Sequence, residues 1–328
     1  MNQIKGLHHV TAITSSAEKI YEFFTYVLGM RLVKKTINQD DIRTYHLFFA
    51  DDVGGPGTDM TFFDFPGSSK KVKGTNEISK TSFRVPNDQA LLYWLKRFDK
   101  YNIKHSPIKT LLNKKVIEFY DFDAQEYMLV SDENNQGVAS GIPWKKGPVP
   151  NEYAITGLGP IMLTVNELDI IEYALIDIMK FKKTLEESDL YLYEVGEGGN
   201  GASVIVKLDT YSDIGYQGYG AVHHVAFRVE NEAALNHWIG NITDLRIPNS
   251  GMVNRFWFKS LYARIYPAIL FEFATDGPGF VDDEESHETL GETLTLPPRF
   301  RSSREQIEKL VRHIDTKRSD KTFKKEYL

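Results

Sequence analysis

The dipeptide His-His occurs twice in this chain, at His8-His9 and at His223-His224, and each copy opens a strand-like apolar run. Four of the nine histidines sit in these two pairs. Imidazole binds metals and exchanges protons near neutral pH. A regular strand sends successive side chains to opposite faces, which predicts one imidazole of each pair on either side of its sheet. If the two strands lie side by side, one histidine from each can address a common ion. A third donor stands in Leu270-Phe271-Glu272-Phe273-Ala274, where one carboxylate interrupts an apolar run. A lone acid in a buried strand is paired, protonated or metal-bound. Two histidines and one carboxylate form the set that leaves open positions on non-haem Fe(II); Mn(II) or another divalent ion would use the same donors.

Which histidine of each pair binds is open on sequence alone. His9 and His224 are the expected ligands, because they keep register with the apolar strand that follows. His8 and His223 are then expected behind the ligands or facing a substrate, with either one available to take a proton from it. Arg255, Tyr262 and Arg264 stand among aromatics in NRFWFKSLYARIYPAILFEF. They read equally well as partners of the acidic tail and core, or as groups that recognise an anion and a phenol beside the metal. Phe256, Trp257 and Phe258 offer either an apolar wall or ordinary core.

The elements that carry these residues repeat. KTSFRVPNDQALLYWLKRF (80–98) aligns without a gap to HVAFRVENEAALNHWIGNI (224–242), matching Phe83-Arg84-Val85 to Phe227-Arg228-Val229 and Trp94 to Trp238. The shared unit is a strand, a polar cap at Asn87 or Asn231, and an amphipathic helix. HHVTAITSSAEKIYEFFTYVLGM (8–30) repeats it, with Ser15-Ser16 and Glu18 at the helix start and Ile20, Phe23, Phe24 and Val27 on one face before Gly29. LGPIMLTVNELDIIEYALIDIMKF (158–181) repeats it again, with Asn166 as the expected cap and Ile170, Tyr173, Ala174 and Ile178 as the expected buried face. After each helix there is room for several strands: 44–49 with 60–65, 116–119 with 126–130, 191–194 with 203–208, and 256–258 with 269–274.

The expected fold is therefore α+β, four βαβββ modules forming two domains of curved mixed sheets plus a C-terminal tail with a helix. The expected divisions are a first domain over 4–136, a Gly/Pro-rich linker over 137–152, a second domain over 153–275 and a tail over 276–328. In that tail the acidic run 282–285 reads as a solvated loop, and Ser303 with Gln306 as a capping box for a helix over 304–314. In the aligned modules, the position of His224 is held by His9, Lys80 and Pro160, so only the outer modules can supply a ligand. Met128 stands at the expected equivalent of Glu272 in module two.

Composition narrows the function classes. At 328 residues, with 41% hydrophobic and 26% charged residues, the chain is an ordinary globular protein. The net charge of −6 leaves no broad electrostatic footprint for nucleic acid. The absence of cysteine excludes disulfides, thiolate ligands and a thiol nucleophile. No apolar stretch approaches a membrane span, and the first residues lack the apolar core of a signal peptide, so a cytoplasmic location is expected. Exposed sheet edges make a homodimer an expectation.

LHHVTAIT, VHHVAFRV and FEFATDGPGF, set in four βαβββ modules, resemble the vicinal oxygen chelate (glyoxalase/bleomycin resistance/dioxygenase) superfamily. More narrowly, they are similar to its ring-cleaving dioxygenases of the MhqO or hydroquinone dioxygenase type, over about residues 4 to 315. That resemblance implies Fe(II) held by His9, His224 and Glu272 between the first and fourth modules. It also implies supporting roles for His8, Thr11, His223, Arg255 and Tyr262, with a small aromatic diol and O2 as partners. In catechol extradiol enzymes of this superfamily the first histidine comes from the third module, where this chain has Pro160. Two rivals stand beside that reading. One is a glyoxalase-type isomerase or lyase, which wants a second carboxylate for which Asp64 is the available acid. The other is a non-catalytic small-molecule-binding protein.

Overall fold

The computed structural model describes residues 2–328 and consists of four βαβββ modules and a C-terminal strap. Module one comprises β1 (Leu7–Ile13), α1 (Ala17–Glu22), β2 (Arg31–Ile37), β3 (Tyr45–Ala50) and β4 (Asp59–Phe63). Module two comprises β5 (Glu77–Val85), α2 (Asp88–Lys100), β6 (Lys109–Leu111), β7 (Lys114–Tyr120) and β8 (Glu126–Ser131). After the short β9 (Gly157–Leu158), module three comprises β10 (Ile161–Val165), α3 (Leu168–Glu172), β11 (Lys182–Glu187), β12 (Leu190–Glu194) and β13 (Ser203–Leu208). Module four comprises β14 (Val222–Val229), α4 (Glu232–Asp244), β15 (Val253–Asn254), β16 (Lys259–Tyr266) and β17 (Ile269–Thr275), and α5 (Arg304–Leu310) lies in the tail.

The sheets cut across the division expected at 137–152. One sheet runs β15-β16-β17-β14-β1-β4-β3-β2 and joins modules one and four; the other runs β11-β12-β13-β10-β5-β8-β7-β6 and joins modules two and three. At the centre of each, two first strands pair antiparallel, β1 with β14 and β5 with β10. Parallel neighbours follow on either side of each pair. Each sheet thus takes one module from either half of the chain. The segment 137–152 packs Trp144 and Val149 into the body.

Local chemistry explains the helix starts. Ser16, Asn87 and Asn231 each accept a hydrogen bond from the backbone N–H three residues on, capping α1, α2 and α4. The expected cap at Asn166 is not formed: Glu167 holds that place without a side-chain bond, and Asn166 Oδ1 accepts from the Tyr266 hydroxyl instead. The buried face of α3 is also shifted. Ile171, Ala174, Leu175 and Ile178 are buried, whereas Ile170 and Tyr173 are exposed. The helix begins one residue later than the cap at Asn166 implied and ends in a π turn, with Met179 N–H donating to Ala174 C=O. Residues 256–258 form a bend with Phe256 at φ +77°, and the strand lies after them, in β16.

The tail differs most from expectation. The run 282–285 is solvated only in part: Asp283 is exposed, but Glu285 is 2% exposed and accepts from Lys34 Nζ at 2.9 Å, with Asp282 accepting from the same ammonium at 3.1 Å. Lys34 itself is fully buried, so its charge requires these partners. Ser303 makes no capping bond, and the helix is the short α5 preceded by a 3-10 segment over Pro298–Ser303.

Candidate metal centre

β1 and β14 lie side by side, as two strands sharing an ion must, but neither is regular. Pairing runs Leu7 to Phe227 and then His9 to Ala226, leaving His8 as an extra residue; on the other strand Thr11 pairs with His224 and Ala12 with Val222, leaving His223 extra. Such a bulge sets two residues of one strand against one of the other and breaks the alternation. Both imidazoles of each pair consequently meet instead of lying on opposite faces. His8 Nδ1 is 2.9 Å from His9 Nδ1, and His223 Nδ1 is 2.8 Å from His224 Nδ1. The expectation of one imidazole on either side of the sheet is overturned by these two bulges.

The bulges fix tautomers. His8 Nε2 lies 3.0 Å from the Thr275 carbonyl oxygen. A carbonyl only accepts, so His8 carries its proton on Nε2 and offers a lone pair at Nδ1. His9 therefore donates from Nδ1 and keeps a lone pair on Nε2. On the other strand, His224 can present Nε2 as a lone pair only if His223 accepts at Nδ1 and bears its proton on Nε2. Burial, then the neighbouring His9, lowers the pKa of His8 to about 3, and burial, then His224, lowers His223 to about 3. Both rings are neutral near pH 7.

The remaining atoms converge. His9 Nε2 and His224 Nε2 are 3.3 Å apart, and they lie 3.1 and 3.0 Å from Glu272 Oε2. Glu272 is fully buried, with its Oε2 facing the two imidazole lone pairs. Its Oε1 accepts from Ser260 Oγ at 2.5 Å, whereas Oε2 is buried without a hydrogen bond. Three lone-pair atoms this close repel one another unless positive charge sits among them. Ligands about 2.1 Å from one ion and at roughly right angles are about 3 Å apart, which is the spacing found here. Among the described residues, this is the one group of three His, Asp or Glu that could hold an ion.

Register explains why there is one such site. β14 sets Ala226 beside Glu272, as β5 sets Ser82 beside Met128. Met128 is therefore the counterpart of Glu272, and it lies in an apolar cluster with Val116, Met162 and Ile205. Lys80, the counterpart of the ligand histidines, is ion-paired to Glu118. In module one the counterpart is Thr61, paired with Thr11. Asp64, the acid an isomerase would need, instead accepts from the Tyr45 N–H at 2.8 Å and from Arg312 at 2.8 Å.

A cavity of about 430 Å³ opens in front of the triad, lined by His9, His224, His223, Arg255, Tyr262, His46 and the rings of Phe48, Phe63, Phe65, Trp257 and Phe258. Arg255 Nε donates to the Tyr262 hydroxyl oxygen at 3.1 Å and Arg255 Nη1 to Asp40 at 2.9 Å. Burial, then the Glu272 charge, raises the Tyr262 pKa, so the phenol stays protonated. Burial opposes the Arg255 charge, but Tyr262 and Asp40 outweigh it. Arg264 is exposed and lies off the cavity. His8 is buried behind His9 against Thr275 and does not reach the cavity, which removes it as a base acting on substrate. Thr11 is likewise behind the wall, 2.7 Å from Thr61 Oγ1.

Three residues were not visible from sequence. Ser260 orients Glu272, Thr61 bridges Thr11 to His46, and His46 is a fourth histidine facing the cavity. A lone histidine two places before Phe48 in an alternating strand was the available signal for His46.

Residues 6–266 match the family model of the Glyoxalase/Bleomycin resistance protein/Dioxygenase superfamily. The chain is 40% identical over 319 residues to "Putative ring-cleaving dioxygenase MhqA" of Bacillus subtilis, covering 95% of this chain and 99% of that one. It is 29% identical over 314 residues to the chlorohydroquinone/hydroquinone 1,2-dioxygenase of Sphingobium indicum, covering 93% and 95%. A crystal structure from Bacillus subtilis, described as that of a "putative dioxygenase", superposes with a TM-score of 0.88 at 32% identity, covering 96% and 99%. With matching fold, length and sequence, the chain belongs to the glyoxalase/bleomycin resistance/dioxygenase superfamily and is a homologue of its MhqA-like ring-cleaving dioxygenases.

Proposed function

We propose that the protein is an Fe(II)-dependent ring-cleaving dioxygenase acting on a small aromatic diol of the hydroquinone or catechol class. The observation that carries this reading is the convergence of three lone-pair atoms, His9 Nε2, His224 Nε2 and Glu272 Oε2, at the floor of an aromatic-walled cavity. His9, His224 and Glu272 would hold the ion, and bound Fe(II) would supply open positions at which a diol oxygen and O2 exchange electrons. The homology to a hydroquinone 1,2-dioxygenase supports the substrate class.

The chain's own groups would act as follows. Phe48, Phe63, Trp257 and Phe258 bury the faces of an aromatic ring and exclude water. Arg255 donates to the Tyr262 oxygen, so the phenol proton of Tyr262 is left for an oxygen in the cavity, and the fixed guanidinium charge favours negative charge developing there. His223 serves better as a donor through Nε2 than as a base, because its Nδ1 is committed to His224. This reverses the role first expected of it.

The test is anaerobic loading with Fe(II) followed by oxygen-uptake measurements against a panel of hydroquinones and catechols. Oxygen consumption and a ring-opened product from at least one diol, lost in Glu272→Gln, are expected. Stoichiometric iron with no uptake across the panel would refute the reading.

A further inference from the structure

His46 sits on β3 with its ring between those of Phe48 and Phe63, at centroid distances of 4.0 and 4.3 Å. Its Nε2 lies 2.9 Å from Thr61 Oγ1, which lies 2.7 Å from Thr11 Oγ1. Thr11 and Thr61 are both completely buried, and Thr11 Oγ1 has Thr61 as its hydrogen-bond partner. Buried hydroxyls donate their protons. Thr11 can do so only to Thr61, and Thr61 is then left to donate to His46 Nε2. The relay therefore ends in an acceptor, and His46 carries its proton on Nδ1. That N–H has no acceptor among the described residues, in a side chain that lines the cavity.

Two other cavity groups with a proton to give, Tyr262 and His223, stand elsewhere. Arg255 and Tyr262 bind each other, and His223 is tied to His224. These lie beside the triad or on its β16 side. His46 lies on the opposite side, two strands beyond the β1 ligand strand in the order β1-β4-β3. Two strand spacings, roughly 10 Å between backbones, set His46 toward the β3 side of the cavity, away from the β16 side.

We infer that His46 is a substrate-contacting residue that donates from Nδ1 to the ring oxygen remote from the metal triad, and that the Thr11–Thr61 hydroxyl relay holds it in that tautomer. The site thereby selects aromatic diols whose second oxygen lies across the ring from the first. This deepens the functional reading above and rests on it. The buried relay is an expenditure on one proton's position that apolar residues of similar shape would not supply.

Equilibrium binding to the Fe(II)-loaded protein under argon tests it, with hydroquinone, catechol and phenol as probes. Phenol and catechol lack the remote oxygen. In His46→Phe, which keeps the stack with Phe48 and Phe63, hydroquinone is expected to bind about tenfold more weakly, with phenol and catechol within twofold of wild type. Thr61→Val removes the hydroxyl that fixes the tautomer, and a loss of about threefold confined to hydroquinone is expected. Equal weakening of all three probes in both variants, or an unchanged preference for hydroquinone, would overturn the assignment. Wild-type protein that prefers hydroquinone but consumes no oxygen would sink the dioxygenase reading while the His46 assignment is still decided by the binding ratios. Failure to bind any probe would overturn both.

Discussion

Replacing His8 by Phe tests whether the bulged pair is what prepares His9 for a metal. The ring packs 5.3 Å from Phe258 and 5.0 Å from His9, centroid to centroid, and phenylalanine fills that space. Two hydrogen bonds vanish, one to the Thr275 carbonyl and one from His9 Nδ1. Each is worth about 1 kcal/mol, and the buried Thr275 carbonyl and His9 N–H left unpaired bring the loss to about 2–4 kcal/mol. At about 2–4 °C per kcal/mol for domains of 150–250 residues, and somewhat less for this longer chain, the metal-free melting temperature should fall by about 5–10 °C. Partners that orient metal-bound histidines typically contribute 10–100-fold in affinity. His9 could then place its proton on Nε2, and Fe(II) or Mn(II) affinity should drop by that factor. Competition against a chelator of known affinity measures it directly, with circular dichroism to confirm the fold. Folded His8→Phe protein with wild-type metal affinity would refute the tautomer argument.

Other outcomes follow from the same structure. Ser260→Ala leaves Glu272 Oε1 without its donor and should weaken metal binding by about tenfold, read by the same competition. Lys34→Met leaves Glu285 and Asp282 buried without their cation; a loss of about 3–5 kcal/mol should appear in denaturant unfolding, and an unchanged midpoint would show that the pair does not need to be matched. His8 and His223 have folded pKa values of about 3, below the ordinary 6.5, so the unfolded chain binds more protons as pH falls below 6.5. Each should therefore cost the metal-free protein about 2 kcal/mol between pH 6.5 and 5. Melting scans across that range should show the decline, and a flat profile would contradict the buried neutral rings.

The parts of this molecule governed by local rules were legible in its sequence. The repeat joining Phe83-Arg84-Val85 to Phe227-Arg228-Val229, the caps at Asn87 and Asn231, and the first and last two strands of modules one to three follow from periodicity and side-chain chemistry that act within a few residues, whereas β2, β6 and β11 were not read. The three metal-directed residues were legible because module comparison singled out the outer modules. What escaped is set by contacts between distant segments. The bulges at His8 and His223 exist only in the β1–β14 ladder, which no single strand reveals. The acidic run was read as solvated because its cation, Lys34, lies about 250 residues away. His46 gave no repeat, and its role depends on Thr61 from the next strand. The register of α3 slipped because a π turn is not visible in a 3.6-residue pattern.

The crossed pairing of modules orders the assembly of the molecule in time. Modules two and three are neighbours in the chain, and their sheet can close as soon as both exist. Module one has no such neighbour: His9 meets His224 across 215 residues of intervening chain. At a synthesis rate of roughly 5–20 residues per second, β1 waits about 10 to 40 seconds for β14. During that interval β1 presents an open ladder edge that only module four will cover. The metal-directed cluster is thus among the last features to form. A nascent chain stalled before Val222 would hold a finished inner sheet and a module one whose β1 edge has no partner, which makes that edge the natural client of a chaperone.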